Sequence, residues 1–189
     1  MLGNMFHNAR PLVIVFSLSS AFAQVPNSVT AACDNVPCEI QVDWLRNNGM
    51  VAVSAAAMPP EKFGFKPTPE QQTFGERVLH VASINLAILQ SLGAKTPAPA
   101  INEKATSKDE ILASLAKVTE YGTAVLKELK PDQLTTQRPS PEVMAWFMGP
   151  KLTPQRAIYF PMAHAQDTYG QLVVYLRLNG IVPPLSRQP

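Results

Sequence analysis

The sequence predicts an all-α protein, a four-helix bundle. Two observations predict it: long proline-free windows in a proline-rich chain, and apolar residues recurring every three to four positions inside each window. Alternating apolar and polar runs joined by hairpin turns, the signature of sheets, do not occur. The chain has 189 residues, 46% of them hydrophobic, which suits one domain with a full core. Its 18 prolines leave residues 38–58, 70–96, 100–130 and 162–182 uninterrupted. Proline lacks the backbone N–H and clashes with the preceding turn, so these windows are where helices can run.

In the first window Ile40, Trp44, Val51, Ala55 and Met58 follow helical steps, with Gly49 a weak spot. The second opens on Thr73-Phe-Gly-Glu76, a capping box, and carries Val78, Leu79, Ile84, Leu86, Ile88, Leu89 and Leu92. It is apolar on more than one face, as a central helix should be. A second box, Ser107-Lys-Asp-Glu110, starts the third helix, whose stripe is Ile111, Leu115, Val118, Val125 and Leu129. The fourth carries Leu172, Tyr175, Leu176 and Leu178 and ends at Asn179-Gly180. Its start is open: either the Thr153-Pro154 cap, which puts Pro161 inside the helix, or Pro161 itself. Proline-rich connections are expected at 59–72 and 131–154, the second placing Trp146 and Phe147 in a loop at the pocket mouth or in a satellite core. Tyr169-Gly170 reads as a site of close helix packing, and Tyr121, Tyr159 and Tyr169 as packing residues with polar tips.

The first 23 residues read as an export signal. Arg10 is followed by Pro11-Leu-Val-Ile-Val-Phe-Ser-Leu-Ser-Ser-Ala-Phe-Ala23, a positive start, a short apolar centre and an A-x-A site. The run falls short of the ~20 apolar residues a spanning helix needs, so no stable membrane insertion is expected after cleavage following Ala23. The mature chain is then secreted or periplasmic, with an extension over 24–38, the bundle over 39–184 and a tail over 185–189. An oxidising compartment favours a disulfide between Cys33 and Cys38 over two free thiols. Charged residues make up 16% of the chain and the formal charge is +2, so nucleic acid is not an expected partner. Two cysteines exclude a Cys₄ zinc site, and no phosphate loop or nucleophile elbow is present.

Without the signal, two histidines remain: His80 in the second helix and His164 in the fourth. Both fall in apolar helix windows, where a lone histidine is more often a hydrogen-bonded core residue than a ligand. Their surroundings, however, carry a resemblance. The stretch from Met58 to His80, ending Thr73-Phe-Gly-Glu-Arg-Val-Leu-His80, resembles the entry to the metal-site helix of DinB-like proteins. The stretch from His164 to Pro184, beginning His164-Ala-Gln-Asp-Thr-Tyr-Gly170, resembles their last helix. The resemblance covers most of residues 39–184. It implies a four-helix bundle whose divalent metal, often zinc or nickel, is held by one histidine in the second helix and two spaced four apart in the last. Some such relatives act as thiol-dependent transferases or isomerases.

His80 and His164 match two of those three ligands, and Thr168 stands at the third. Threonine is short and normally neutral, so it substitutes poorly for imidazole. Asp167, three residues after His164, would complete a two-histidine, one-carboxylate set suited to iron, nickel or zinc, with Glu76 orienting His80 or joining it. Three readings stay open: a non-catalytic pocket for a small molecule or partner, a divalent-metal hydrolase or thiol transferase using His80, His164 and Asp167 or Thr168, and a bundle that forms a homodimer through an apolar face.

Overall fold

A computed structural model describes residues 33–187. The expected export signal and its expected cleavage site lie outside the described residues. Four long helices form the body: α1 Val36–Ala57, α2 Phe74–Gln90, α3 Lys108–Glu128 and, last in the chain, α5 Pro154–Leu178; the short α4, Glu142–Met148, precedes α5. Two-residue strands β1 Arg138–Pro139 and β2 Lys151–Leu152 pair antiparallel on either side of α4. Trp146 and Phe147 therefore sit on a helix, not in a loop, because Pro141 ends the ladder and opens α4.

Each long helix starts where a side chain satisfies its free N–H groups. Asn35 Oδ1 accepts from Cys38 N at 3.0 Å, and Thr153 Oγ1 from Arg156 N at 3.2 Å. Thr73 and Glu76 form the full reciprocal box: Thr73 Oγ1 accepts from Glu76 N, and Glu76 Oε2 from Thr73 N at 2.7 Å. At α3 the expected box is only half made, because the Ser107 hydroxyl donates to the Glu110 carboxylate at 2.8 Å while accepting from Glu110 N. α5 runs from Thr153 straight through Pro161. It stops at Gly180 (φ +74°), where Ile181 N and Gly180 N donate to Leu176 O and Arg177 O, a Schellman ending.

Cys33 and Cys38 are joined with their Cα atoms 5.5 Å apart. Cys38 lies in the first turn of α1, which begins at Val36 rather than 39, so the bond clamps a helix end instead of closing a loop before it. Reduction should cost at most about 2 kcal/mol, because so short a closed loop removes little unfolded-chain entropy. Thermal unfolding with and without reductant measures this, and a fall of a few degrees is expected.

Side-chain contacts fix the helix directions. Lys108 Nζ donates to Ala56 O and Met58 O, while Trp44 Nε1–H donates to Thr119 O at 3.0 Å, so α1 and α3 run antiparallel. Gly75 lies against Ile111, and Glu128 binds the backbone N–H groups of Lys95 and Thr96, so α2 and α3 run parallel across a long crossover. Tyr175 O–H donates to Gln72 O at 2.8 Å, and His80 meets His164, which makes α2 and α5 antiparallel. The buried core includes Trp44, Met58, Phe74, Ile88, Leu89, Ile111, Leu115, Ile158, Leu172 and Leu176. Leu178 departs from the expected stripe and is 59% exposed. Gly170 has open space around its Cβ position, so close packing is not its role; Gly122, against Trp44, has that role instead. No helix among the described residues is long and apolar enough to cross a membrane.

Candidate functional site

The antiparallel run of α2 beside α5 brings the two histidines together. Their ring centroids are 5.0 Å apart with the planes at 86°, edge to face. Phe160, one turn before His164 on α5, stacks on the same imidazole at 5.8 Å and 13°. Both rings are half-buried. Burial, then the neighbouring His80, pushes the His164 imidazole down to about 4; Arg77 adds to this and Asp167 opposes it. Burial and then the Arg77 charge lower His80 as well. At neutral pH both rings are uncharged, each offering one N–H donor and one acceptor.

Thr168 lies one turn beyond His164 and is fully buried. Its Oγ1 and His164 Nδ1 are both buried without a hydrogen-bond partner. Arg77 Nε and Gln72 Oε1 share that condition. On the two helices, Arg77 and Thr168 fall between the Gln72–Tyr175 hydrogen bond and the His80–His164 contact. Buried polar atoms are nearly always paired, so several orphans along one seam mark a place built to receive something.

Beside the seam a cleft of about 420 Å³ is lined by His80, Glu76, Gln72, Glu70, Glu103 and Lys66, among others. Glu76 is held by its capping duty, and its hydrogen bonds to Thr73 keep its carboxyl below the usual range. Asp167 is exposed and its Oδ2 accepts from Gln171 Nε2 at 2.7 Å. Among the described residues no three His, Cys, Asp or Glu side chains converge to hold a metal, so His80, His164 and Asp167 do not assemble as a ligand set. The reason is local: three positions on from His164, Asp167 turns toward solvent while position 168 turns inward. Trp146 is 85% exposed and does not line the cleft. Tyr121 and Tyr175 are buried packing residues, whereas Tyr159 is 47% exposed and its hydroxyl accepts from Gln155.

Arg77, Gln72 and Phe160 escaped sequence reasoning. Helical spacing held the signal for two of them, since Arg77 is three residues before His80 and Phe160 four before His164.

A helical bundle with an imidazole pair bridging its second and last long helices defines a recognisable class. The chain matches the model of the DinB superfamily over residues 44–172 and belongs to that superfamily. It is similar in fold to a DinB-like protein from Bacillus cereus ATCC 10987, with a TM-score of 0.65 and 19% identity over 77% of this chain and 93% of that one. A DinB-like protein from Bacillus subtilis, YjoA, is similar with a TM-score of 0.60 and 18% identity over 80% and 99% of the two chains. No curated protein matches the chain.

The divalent metal implied by the family resemblance does not fit these residues. Two imidazoles and a neutral hydroxyl fall one good donor short of the three protein ligands that a catalytic zinc ordinarily takes. Thr168, whose Oγ1 is buried and unpaired, stands at the sequence position that the resemblance gives to the third histidine.

The low His164 value has a consequence for stability. The unfolded imidazole takes a proton near pH 6.5, whereas the folded one refuses it until about pH 4. Stability from this group is complete above 6.5, falls between 6.5 and 4, and changes no further below. With allowance for solvent at the half-buried ring, the loss should be about 2 kcal/mol. Urea midpoints at pH 7 and pH 4.5 measure it, and His164→Asn should flatten the difference.

Proposed function

We propose that this chain is an exported DinB-like bundle, secreted or periplasmic, that binds a small molecule or partner without catalysis. Its pocket occupies the position at which the family resemblance implies a metal. The observation carrying this reading is the fully buried Thr168, with Oγ1 unpartnered beside an unpartnered His164 Nδ1. A neutral hydroxyl and two neutral imidazoles form a hydrogen-bonding surface, not a strong cation cage.

Elemental analysis of protein purified without added metal tests the reading. Less than stoichiometric zinc, nickel and iron, and no tight titration that His80→Ala abolishes, is the expected result. One tightly held metal per chain would overturn it.

The 5.0 Å approach of the two rings favours a second reading. In it Asp167 would have to turn inward from Gln171, or the Thr168 hydroxyl join, for His80 and His164 to hold a divalent ion, which would supply a lowered pKa to a water or thiol as in a hydrolase or thiol transferase. The same metal titration separates the two. A homodimer is compatible with either, and light scattering at high concentration decides it.

A further inference from the structure

We infer that the pocket takes a small zwitterion, an amino-carboxylate whose carboxylate sits at the Arg77–His164–Thr168 seam and whose ammonium faces the Glu70, Glu76 and Glu103 side of His80. The inference rests on the binding-pocket reading above and names its ligand class.

The carboxylate end follows from donors that lack acceptors. Arg77 is half-buried, its Nε is buried and unpaired, and among the described residues no carboxylate forms an ion pair with it. A guanidinium is charged at any ordinary pH and presents its N–H groups as a flat fork that matches a carboxylate. Across the seam the Thr168 hydroxyl and His164 Nδ1 are buried and unsatisfied as well. A hydroxyl is a ready donor, and a neutral imidazole can place its proton on either nitrogen. Leaving such groups empty-handed in a buried seam is costly, and a carboxylate is the acceptor that each of these donors lacks.

The ammonium end follows from the cleft. Glu70, Glu76 and Glu103 line it against a single cation, Lys66, and the buried Gln72 Oε1 there has no donor. His80 belongs to both regions: it lines the cleft and meets His164 edge to face. A ligand lying across His80 therefore passes from a positive seam to a negative cleft within about one helical turn, ~5 Å along α2. A simple anion would meet those carboxylates, and a simple amine would meet Arg77. Asp167, beside His164 on α5, is the one carboxylate opposing an anion from its own helix; it is exposed and bonded to Gln171. The cleft that His80 lines, about 420 Å³, has room for the ammonium end and its methylenes, while Arg77, His164 and Thr168 lie behind it in the buried seam.

The test uses the imidazole proton signals of His80 and His164 at a fixed neutral pH. The probes are 4-aminobutanoate, butanoate, butylamine and uncharged butanamide. Expected are saturable shifts of both rings with 4-aminobutanoate, and binding about tenfold or more weaker for butanoate and butylamine. Arg77→Gln should abolish the advantage of the carboxylate. Glu103→Gln, at an exposed position, should weaken 4-aminobutanoate and leave butanoate no weaker than in the parent, which keeps the test valid if the Arg77 variant folds poorly. Equal binding of butylamine or butanoate, or no shift with 4-aminobutanoate, overturns the inference. Shifts with butanamide alone overturn it while leaving the pocket reading standing; one tightly held zinc per chain overturns the reading itself.

Discussion

Replacing Gly122 by alanine should destabilise the protein by about 3 kcal/mol, the upper end of what overpacking usually costs. A Cβ there would lie 2.2 Å from Trp44 Cζ2 and 2.5 Å from Cε2, well inside contact distance. The indole cannot step aside. It is fully buried, and its N–H is tied to Thr119 O on the same helix that carries Gly122. Alanine's better helix propensity returns only ~1 kcal/mol. Urea unfolding of the single variant should show the loss. Trp44→Leu in the Gly122→Ala background should recover part of it, which assigns the loss to the clash. Gly170→Ala is the control with opposite sign: its Cβ position is open, so a gain of about 0.5–1 kcal/mol is expected. A Gly122→Ala protein as stable as the parent would mean that α1 and α3 pack less closely than the structure has them.

The same pair of glycines marks the limit of what the sequence could reveal. Prolines and caps are local, and they located every long helix, because a missing N–H or a serine at an N-cap acts whatever surrounds it. Thr73 and Ser107 cap as their spacing predicts, and of the two starts left open for the last helix, Thr153 is the one that caps it. Gly170 and Gly122 look alike in sequence. Only the tertiary approach of Trp44 tells them apart, so the reading chose the wrong one. Likewise the pairing of His80 with His164 followed from the family resemblance and not from spacing, as the two are 84 positions apart and joined by packing alone. Asp167 shows the converse error. A carboxylate three residues from His164 is near in sequence, yet the helix turns it to solvent and puts Thr168 inward. Arg77 went unnoticed because a lone arginine on a helix ordinarily reads as solvated; its significance lies in an unpaired, buried Nε that no pattern of letters encodes.

Thr168→His should convert the pocket into a tight zinc site. The position is one turn from His164 on the inward face, and His80 already approaches from α2. A third imidazole there completes a three-nitrogen set with an open place for water. Zinc affinity should rise by at least about 100-fold over the parent, some 3 kcal/mol, measured by competition against a chromophoric chelator. The substitution enlarges a fully buried side chain, so the metal-free variant should lose ~1–3 kcal/mol. Zinc should then return that stability or more: at a free concentration 100 times the dissociation constant, binding to the folded state alone adds about 2.7 kcal/mol. Thermal unfolding with and without zinc therefore reads the same event independently of the chelator. His80→Ala in the Thr168→His background should remove both effects, which separates a true three-ligand site from adventitious binding to the α5 pair. Parent protein that binds zinc as tightly as the variant would show that Thr168, or a rotated Asp167, already serves as a ligand. The binding-pocket reading would then give way to the metalloenzyme one.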